Sequence, residues 1–496
     1  MTEVKSEPGT PQADSAAASF PWPIHEAVLE NGLRVVVSPD PTTPIAAVNL
    51  WYDVGSRHEP AGKHGFAHLF EHLMFEGSSH VAKGEHFEWV TAAGGAAINA
   101  TTNPDRTNYF QVMPSAQLEL ALWLEADRMG SLALTQETLD NQREVVKNER
   151  RQRYDNPPYG RWVEYAFELT FPEGHPYHHT TIGSMEELQA AALEDFQDFN
   201  AVYYSPNNAV LTVAGDVDPA EVVRLAEKYF GGIERHGAIP PAPDGALPQL
   251  KIGETRRRVE VDDSVPRPMT FFMFRAPDSR DETFIATEVL AAVLGRGRGS
   301  RLYRKLITEK NLAQREEAYT STWGLAYGAS VFIGLFSPRD GVEAGEVEAE
   351  FLGVLDGLAD GSAPVSEAEL GRAKAILTSD WLRAVGELGG RADMLGQYAT
   401  LEGDPKVVLD YLERLEAVTA EDVQAAGAVI LPGDNRVVIE YVKPDGGGGE
   451  AGDGAVGAVG DGGDAEAAGA AAGEGVELSG EGVTVDESVT AEEDSE

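Results

Sequence analysis

Apolar positions along the chain switch between a period of two and a period near 3.6. Residues 33–37 and 45–52 are short β-branched and aromatic runs separated by a Pro/Asp/Thr turn, and they predict two strands. A helical pattern follows around Gly65 to Gly77. Residues 94–102 and 107–112 then predict two more strands around the turn at Asn103-Pro104-Asp105. Residues 116–131 form an amphipathic helix pattern, and 135–154 a second, stopped by Asp155-Asn156-Pro157-Pro158. Residues 188–199 and 219–230 predict helices on either side of a buried strand at 209–214. The Pro/Gly-rich stretch 237–248 is the clearest internal linker.

The pattern then repeats. Glu194-Asp195-Phe196-Gln197 precedes the strand starting at Asn208 by fourteen residues, and Glu421-Asp422-Val423-Gln424 precedes that at Asn435 by the same fourteen, 227 residues later. Strands near 259–261 and 269–275 and a helix over 281–294 echo the opening of the first half. Two copies of one α/β unit are expected, 21–236 and 249–443, joined by the linker. Residues 1–20 are expected to be disordered. So is the Gly/Ala/Asp/Glu tail 444–496, which cannot bury enough apolar surface to fold.

Composition narrows the chemistry. A chain of 496 residues with 42% hydrophobic content is globular and too long for one core. It contains no cysteine, so a transition-metal site must use histidine and carboxylate. Net charge is −43; fifteen acids and no Lys or Arg lie in 445–496, leaving −28 for the rest, which argues against nucleic acid as partner. No targeting signal is evident at the start, and no apolar run approaches ~18 residues. The reading is a cytoplasmic protein without a membrane span.

The candidate chemistry sits in His68-Leu69-Phe70-Glu71-His72. On a helix the two imidazoles point the same way, one turn apart, with Glu71 on the same stripe. Two such imidazoles suit a divalent zinc ion, and the carboxylate can take a proton from a water it activates. A third ligand belongs on another element. Glu149 shares a helix face with Gln142, Val145 and Val146, where a solvated acid does not belong. All eleven histidines lie at or before His236, so this chemistry belongs to the first half. His64 stands too far along the helix for the same ion, and His175, His178 and His179 read as structural or surface residues. Gly295-Arg296-Gly297-Arg298-Gly299 follows a helix and reads as a turn, and Arg150-Arg151-Gln152-Arg153 as a solvated helix end.

His68-Leu69-Phe70-Glu71-His72, followed after 76 residues by Glu149, resembles the pitrilysin–insulinase family of inverted zincins. The resemblance is nearest to its bacterial processing-peptidase-like members and the β subunit of mitochondrial processing peptidase. It covers about residues 25–443, with Gly94-Gly95, Asn99-Ala100-Thr101-Thr102, Tyr109, His175-Pro176-Tyr177, Tyr204-Ser205-Pro206-Asn207-Asn208 and Gly299-Ser300-Arg301-Leu302-Tyr303 among the matching pieces. It implies an α+β fold: two homologous α/β domains, each a mainly antiparallel sheet packed with helices, forming one half-shell of a peptide chamber. It implies Zn2+ on His68, His72 and Glu149, with Glu71 as general base. Asn99, Ala100 and Thr101 would lie on an edge strand to which a peptide adds.

Two departures matter. Where the family often has a glutamate seven residues before the ligand glutamate, this chain has Gln142, expected to hydrogen-bond behind a ligand. Active members also use an Arg and a Tyr, seven apart, from the second half-shell. The strand 329–337 carries neither, and Arg391 and Tyr398 have the spacing in a helix-like run. The expected function is a zinc metalloendopeptidase paired with a sister subunit that supplies the Arg/Tyr pair, or with a second copy of itself. The alternatives are a non-catalytic scaffold subunit of such a heterodimer and an acidic peptide-binding module.

Overall fold

The structure, a computed structural model, describes residues 20–241 and 243–444. The expected disordered ends lie outside the described residues, apart from Phe20 and Pro444. Phe20 is buried, its ring edge-on to Trp22 at 5.3 Å and to Trp381 at 6.4 Å.

The first half runs β1 (His25–Val28), β2 (Arg34–Pro39), β3 (Ile45–Tyr52), α1 (Phe66–Leu73), α2 (Glu85–Ala92), β4 (Ala96–Thr102), β5 (Thr107–Pro114), α3 (Leu118–Ser131), α4 (Gln136–Arg150), α5 (Trp162–Thr170), α6 (Met185–Ala190), α7 (Leu193–Tyr203), β6 (Ala209–Gly215) and α8 (Pro219–Phe230). The helix expected over 188–199 is broken at Ala191-Ala192. There Arg143 of α4 donates to the carbonyls of Leu188 and Ala191, both at 2.8 Å, and Asp195 restarts the chain by accepting the Ala192 amide at 3.1 Å.

The second half runs β7 (Glu254–Val261), β8 (Met269–Ala276), α9 (Phe284–Gly295), β9 (Ala313–Trp323), β10 (Ser330–Pro338), α10 (Ala344–Ala359), α11 (Glu367–Gly386), α12 (Leu388–Gln397), α13 (Tyr411–Ala417), α14 (Ala420–Ile430) and β11 (Asn435–Val442). Helices α7 and α14 are related by the 227-residue offset seen in the sequence.

The strand orders are β1-β2-β6-β3-β5-β4 and β7-β11-β8-β10-β9. Without β1, the two sheets have one topology. Among the described strands, β2–β6 and β7–β11 are parallel pairs and the others antiparallel. This is the expected α+β architecture of two homologous α/β domains. Central strands β3, β6, β8 and β10 are covered on both faces, which explains their nearly unbroken apolar sequences.

Each half lends a helix to the other. Alternate residues of β3 point to opposite faces: Ala46, Val48, Leu50 and Tyr52 pack with α1 and α3, while Ala47 packs with Ala392 of α12. Reciprocally, α5 covers the second sheet, where Trp162 stacks on Phe271 at 4.7 Å and Phe167 meets Trp323 edge-on at 4.5 Å. Arg391 and Tyr398 belong to this packing. Arg391 is buried on the α12 side, paired with Asp40 at 3.0 Å and stacked over Trp22, and Tyr398 is buried in the second core. Neither faces α1, because α12 occupies the opposite side of the first sheet.

Helix α12 can approach β3 so closely because residue 396 is glycine: a Cβ there would stand 2.6 Å from Trp51 Cδ1. Gly396→Leu is expected to lower stability by about 1–3 kcal/mol through overpacking, read as an earlier midpoint in urea unfolding.

Candidate metal centre and active site

All eight residues of α1 are buried, so its polar side chains must find partners inside the protein. The helix starts at Gly65, whose φ of 100° is left-handed and where a Cβ would press on the Ile182 carbonyl at 2.9 Å. Its first amides are met by Glu59, which accepts from Gly65 N at 2.8 Å and Ala67 N at 2.7 Å, an anionic cap on the positive helix end. His179 pairs with the same carboxylate at 3.0 Å and stacks on His64, their centroids 3.9 Å apart. His64 in turn pairs with Glu187 at 3.2 Å. His175 binds the Gly245 carbonyl at 2.9 Å, tying down the linker, and His178 binds that of Phe171 at 2.9 Å.

Helix α4 is capped by Thr135, whose side chain accepts the Thr138 amide at 3.2 Å, and turns Leu139, Gln142 and Val146 inward. Glu149 follows on that face and points between the two imidazoles. His68 Nε2 lies 3.5 Å from Glu149 Oε1 and His72 Nε2 lies 3.3 Å from Glu149 Oε2. The ligand atoms of the three residues all fall within 4.8 Å of one another. A good N–H···O bond is shorter, whereas ligands at ~2.0–2.1 Å from a tetrahedral zinc are separated by about 3.3 Å. Glu149 Oε2 is buried without a hydrogen-bond partner, and a cation would satisfy it. The residues fit a zinc ion.

Electrostatics point the same way. Burial pushes Glu149 up, but His68, His72 and Arg153 outweigh it and hold the carboxyl at about 2, ionised. Burial takes His68 down to about 4, so its imidazole is neutral and available as a ligand. Burial also opposes protonation of His72, but Glu149, Glu71 and Gln142 raise it. Glu71 is raised by burial against the pull of His72 and Thr102, a direction that brings a carboxylate toward proton-transfer chemistry near neutrality.

Gln142 stands where the sequence suggested, its Oε1 3.2 Å from His72 Nδ1. Several neighbours were not evident from sequence. Thr102 donates to Glu71 Oε2 at 2.5 Å. Arg153 pairs with Glu149 Oε1 at 2.9 Å, an i,i+4 contact where α4 passes into a π turn, Arg151–Asp155. Arg150 is buried and pairs with Glu164 at 2.6 Å. Arg151 and Gln152 are solvated as expected, whereas Arg150 and Arg153 turn inward. The cue lay in the spacing of Arg153, four residues after the ligand glutamate and so on its helix face.

Strand β4 is the last strand of its sheet, and Asn99, Ala100 and Thr101 lie on it. The hairpin closes with Asn103 N donating to Arg106 O, so ladder alternation turns the backbone of Ala100 and Thr102 outward and that of Asn99 and Thr101 toward β5. Asn99 Oδ1 folds back on the Ala100 amide at 2.8 Å, while the Thr101 carbonyl accepts from Arg106 at 3.0 Å. Of the three residues expected on the edge, Ala100 turns its backbone away from β5 but is buried, as is Thr102, whereas Asn99 and Thr101 are half-buried.

Removing the Glu59 cap tests how firmly α1 is held. Glu59→Ala leaves two buried amides without an acceptor and is expected to cost about 1–3 kcal/mol, measured by chemical denaturation.

Residues 34–170 match the family described as insulinase (peptidase family M16), and residues 191–377 match the peptidase M16 inactive domain. The chain is 33% identical over 435 residues to the zinc protease PqqE of Helicobacter pylori, covering 85% of this chain and 93% of that protein. A crystal structure of a protease from Helicobacter pylori superposes with a TM-score of 0.78 at 29% identity, over 85% of this chain and 100% of that one. At 18% identity, the fold also matches the periplasmic protease PqqL from Escherichia coli, with a TM-score of 0.67 over 86% of this chain but only 48% of PqqL. The same comparison with the first half of PqqL covers 93% of it. With the inverted motif, its distant glutamate and two domains of matching topology in one chain, the protein belongs to the insulinase (M16) family of zinc peptidases.

Proposed function

We propose that the protein is a zinc-dependent metalloendopeptidase that hydrolyses peptides or small unfolded polypeptides. The observation that carries this reading is the buried triangle of His68, His72 and Glu149, with edges of 3.5 and 3.3 Å, set beside the carboxylate of Glu71. Zinc held there supplies the Lewis acidity that makes a water molecule nucleophilic near neutral pH. Thr102 holds Glu71 Oε2, leaving Oε1 to take the proton of the attacking water and to pass it to the leaving amine. An extended substrate adds to β4 beside Asn99, Ala100 and Thr101, and Asn99 swings off the Ala100 amide to uncover it for a substrate carbonyl. Backbone pairing of this kind reads chain extension more than side-chain identity.

Among the described residues, every side chain hydrogen-bonded or ion-paired to His68, Glu71, His72 or Glu149 comes from the first half. The second half contributes its sheet and α12 as support. This favours a working enzyme of two half-shells, the second being a sister chain or another copy that carries the Arg/Tyr pair. PqqL, about twice as long as the region that matches, has room for both halves in one chain. A purely scaffolding role remains the competing reading, because the lone chain lacks that pair.

Glu71→Gln is expected to retain zinc, by metal analysis, while peptide hydrolysis falls at least about a hundredfold. Hydrolysis by this variant at the wild-type rate would remove Glu71 from the mechanism. Peptide cleavage is also expected to vanish with chelator, return with zinc, and rise when a histidine-poor sister chain is added. A mixture that binds peptide but never cuts it would establish the scaffold reading instead.

A further inference from the structure

Behind His72 lies a short chain of polar groups that neither the motif nor the mechanism uses. Gln142 Oε1 faces His72 Nδ1 at 3.2 Å, and the other end of the same amide, Nε2, donates to Glu76 Oε1 at 2.6 Å. Glu76 stands just past the end of α1, and its side chain is 3% exposed. Lys83 reaches in from a mostly exposed position to within 2.9 Å of Glu76 Oε1 and 3.0 Å of Oε2. The order is therefore Lys83, Glu76, Gln142, His72, with the last three buried.

The two ends of a glutamine amide have nearly the same shape but opposite hydrogen-bonding character. An ionised carboxylate only accepts, so Glu76 allows one orientation of Gln142, with its NH₂ toward Glu76 and its oxygen toward His72. That oxygen also only accepts, so His72 must carry its hydrogen on Nδ1. Nε2 is then left with its lone pair directed at the space between His72, His68 and Glu149. In the reverse orientation, Gln142 would donate to Nδ1 and put the hydrogen on Nε2, where it blocks a metal.

We propose that Glu76 is a positioning residue whose carboxylate sets the Gln142 amide, which in turn sets the His72 tautomer that presents Nε2 to the metal. The inference rests on the zinc site proposed above. The buried acid that orients the ligand sits one residue further out than a direct carboxylate–histidine contact would place it, and a neutral amide transmits its effect. Partners of this sort behind a metal-ligating histidine also raise the basicity of the ring.

The test is zinc(II) affinity of the full chain, measured by competition with a chromophoric chelator and accompanied by a thermal melt for each variant. Glu76→Gln removes the obligatory acceptor and is expected to weaken zinc binding about tenfold or more, with the protein still folded. The double variant Glu76→Gln/Gln142→Glu moves the carboxylate into direct contact with His72 Nδ1, where it again only accepts. Its zinc affinity is expected to return to within about threefold of wild type. A structural role for the Lys83–Glu76 pair alone predicts no such recovery. If Glu76→Gln binds zinc like wild type, or weakens it and the double variant does not recover, the proposal for Glu76 is overturned. If wild type itself fails to bind zinc, it is the metal-site reading that falls.

Discussion

The constraint on which the structure turns is the desolvation of α1. Two imidazoles and a carboxylate on one helix turn, and a second carboxylate brought from α4, are held where little water reaches. Unpaired, such groups would cost several kcal/mol each or neutralise themselves. The surroundings are arranged to prevent that. Glu59 satisfies the amides at the helix start, Thr102 holds Glu71, Arg153 holds one oxygen of Glu149, and the Gln142–Glu76 pair holds the back of His72. What these contacts leave open is His68 Nδ1, the two Nε2 atoms and Glu149 Oε2, and the last three together offer a three-point donor set to a cation.

The second half matters to this site although it contributes no ligand. By exchanging α5 and α12, the two halves each cover the outer face of the other's sheet, so neither sheet has a complete core alone. A polar contact reinforces the exchange close to the chemistry. Asp105, in the hairpin between β4 and β5, accepts from Tyr177 Oη and from the Ala326 amide at 2.8 Å, and pairs with Arg57 at 3.2 Å. The turn that positions Thr102 and the free edge of β4 is thus anchored to a loop of the second half. A domain without catalytic side chains still sets the placement of the substrate edge.

The fold was legible to different degrees along the chain. Strands such as 45–52 and helices such as 219–230 were evident because their apolar period is unbroken and their ends carry turn or capping residues. The break at Ala191-Ala192 was not, because the force that opens it is an arginine of α4 taking two carbonyls that a continuous helix would use itself. Nor were the roles of Arg150 and Arg153, which pair with Glu164 and Glu149 while Arg151 and Gln152 between them stay exposed. Arg391 and Tyr398 have a suggestive spacing, but sequence spacing does not say which face of a sheet a helix will cover.

What the amino-acid order determined by itself was local: the pairing of His68 with His72 on one turn, the placing of Glu71 beside them, the absence of histidine from the second copy, and the duplicated topology. The first two follow from helix periodicity, which operates within a few residues, and the last two from composition and the repeated sequence pattern. The tertiary structure alone decided that Glu149 meets those imidazoles, that Glu59, Thr102, Arg153 and Glu76 complete their surroundings, and that each half lends a helix to the other. Those outcomes join residues tens to hundreds of positions apart. They are selected by the common need to bury apolar faces while pairing most of the charges and amides buried with them, a condition that only the assembled chain can meet.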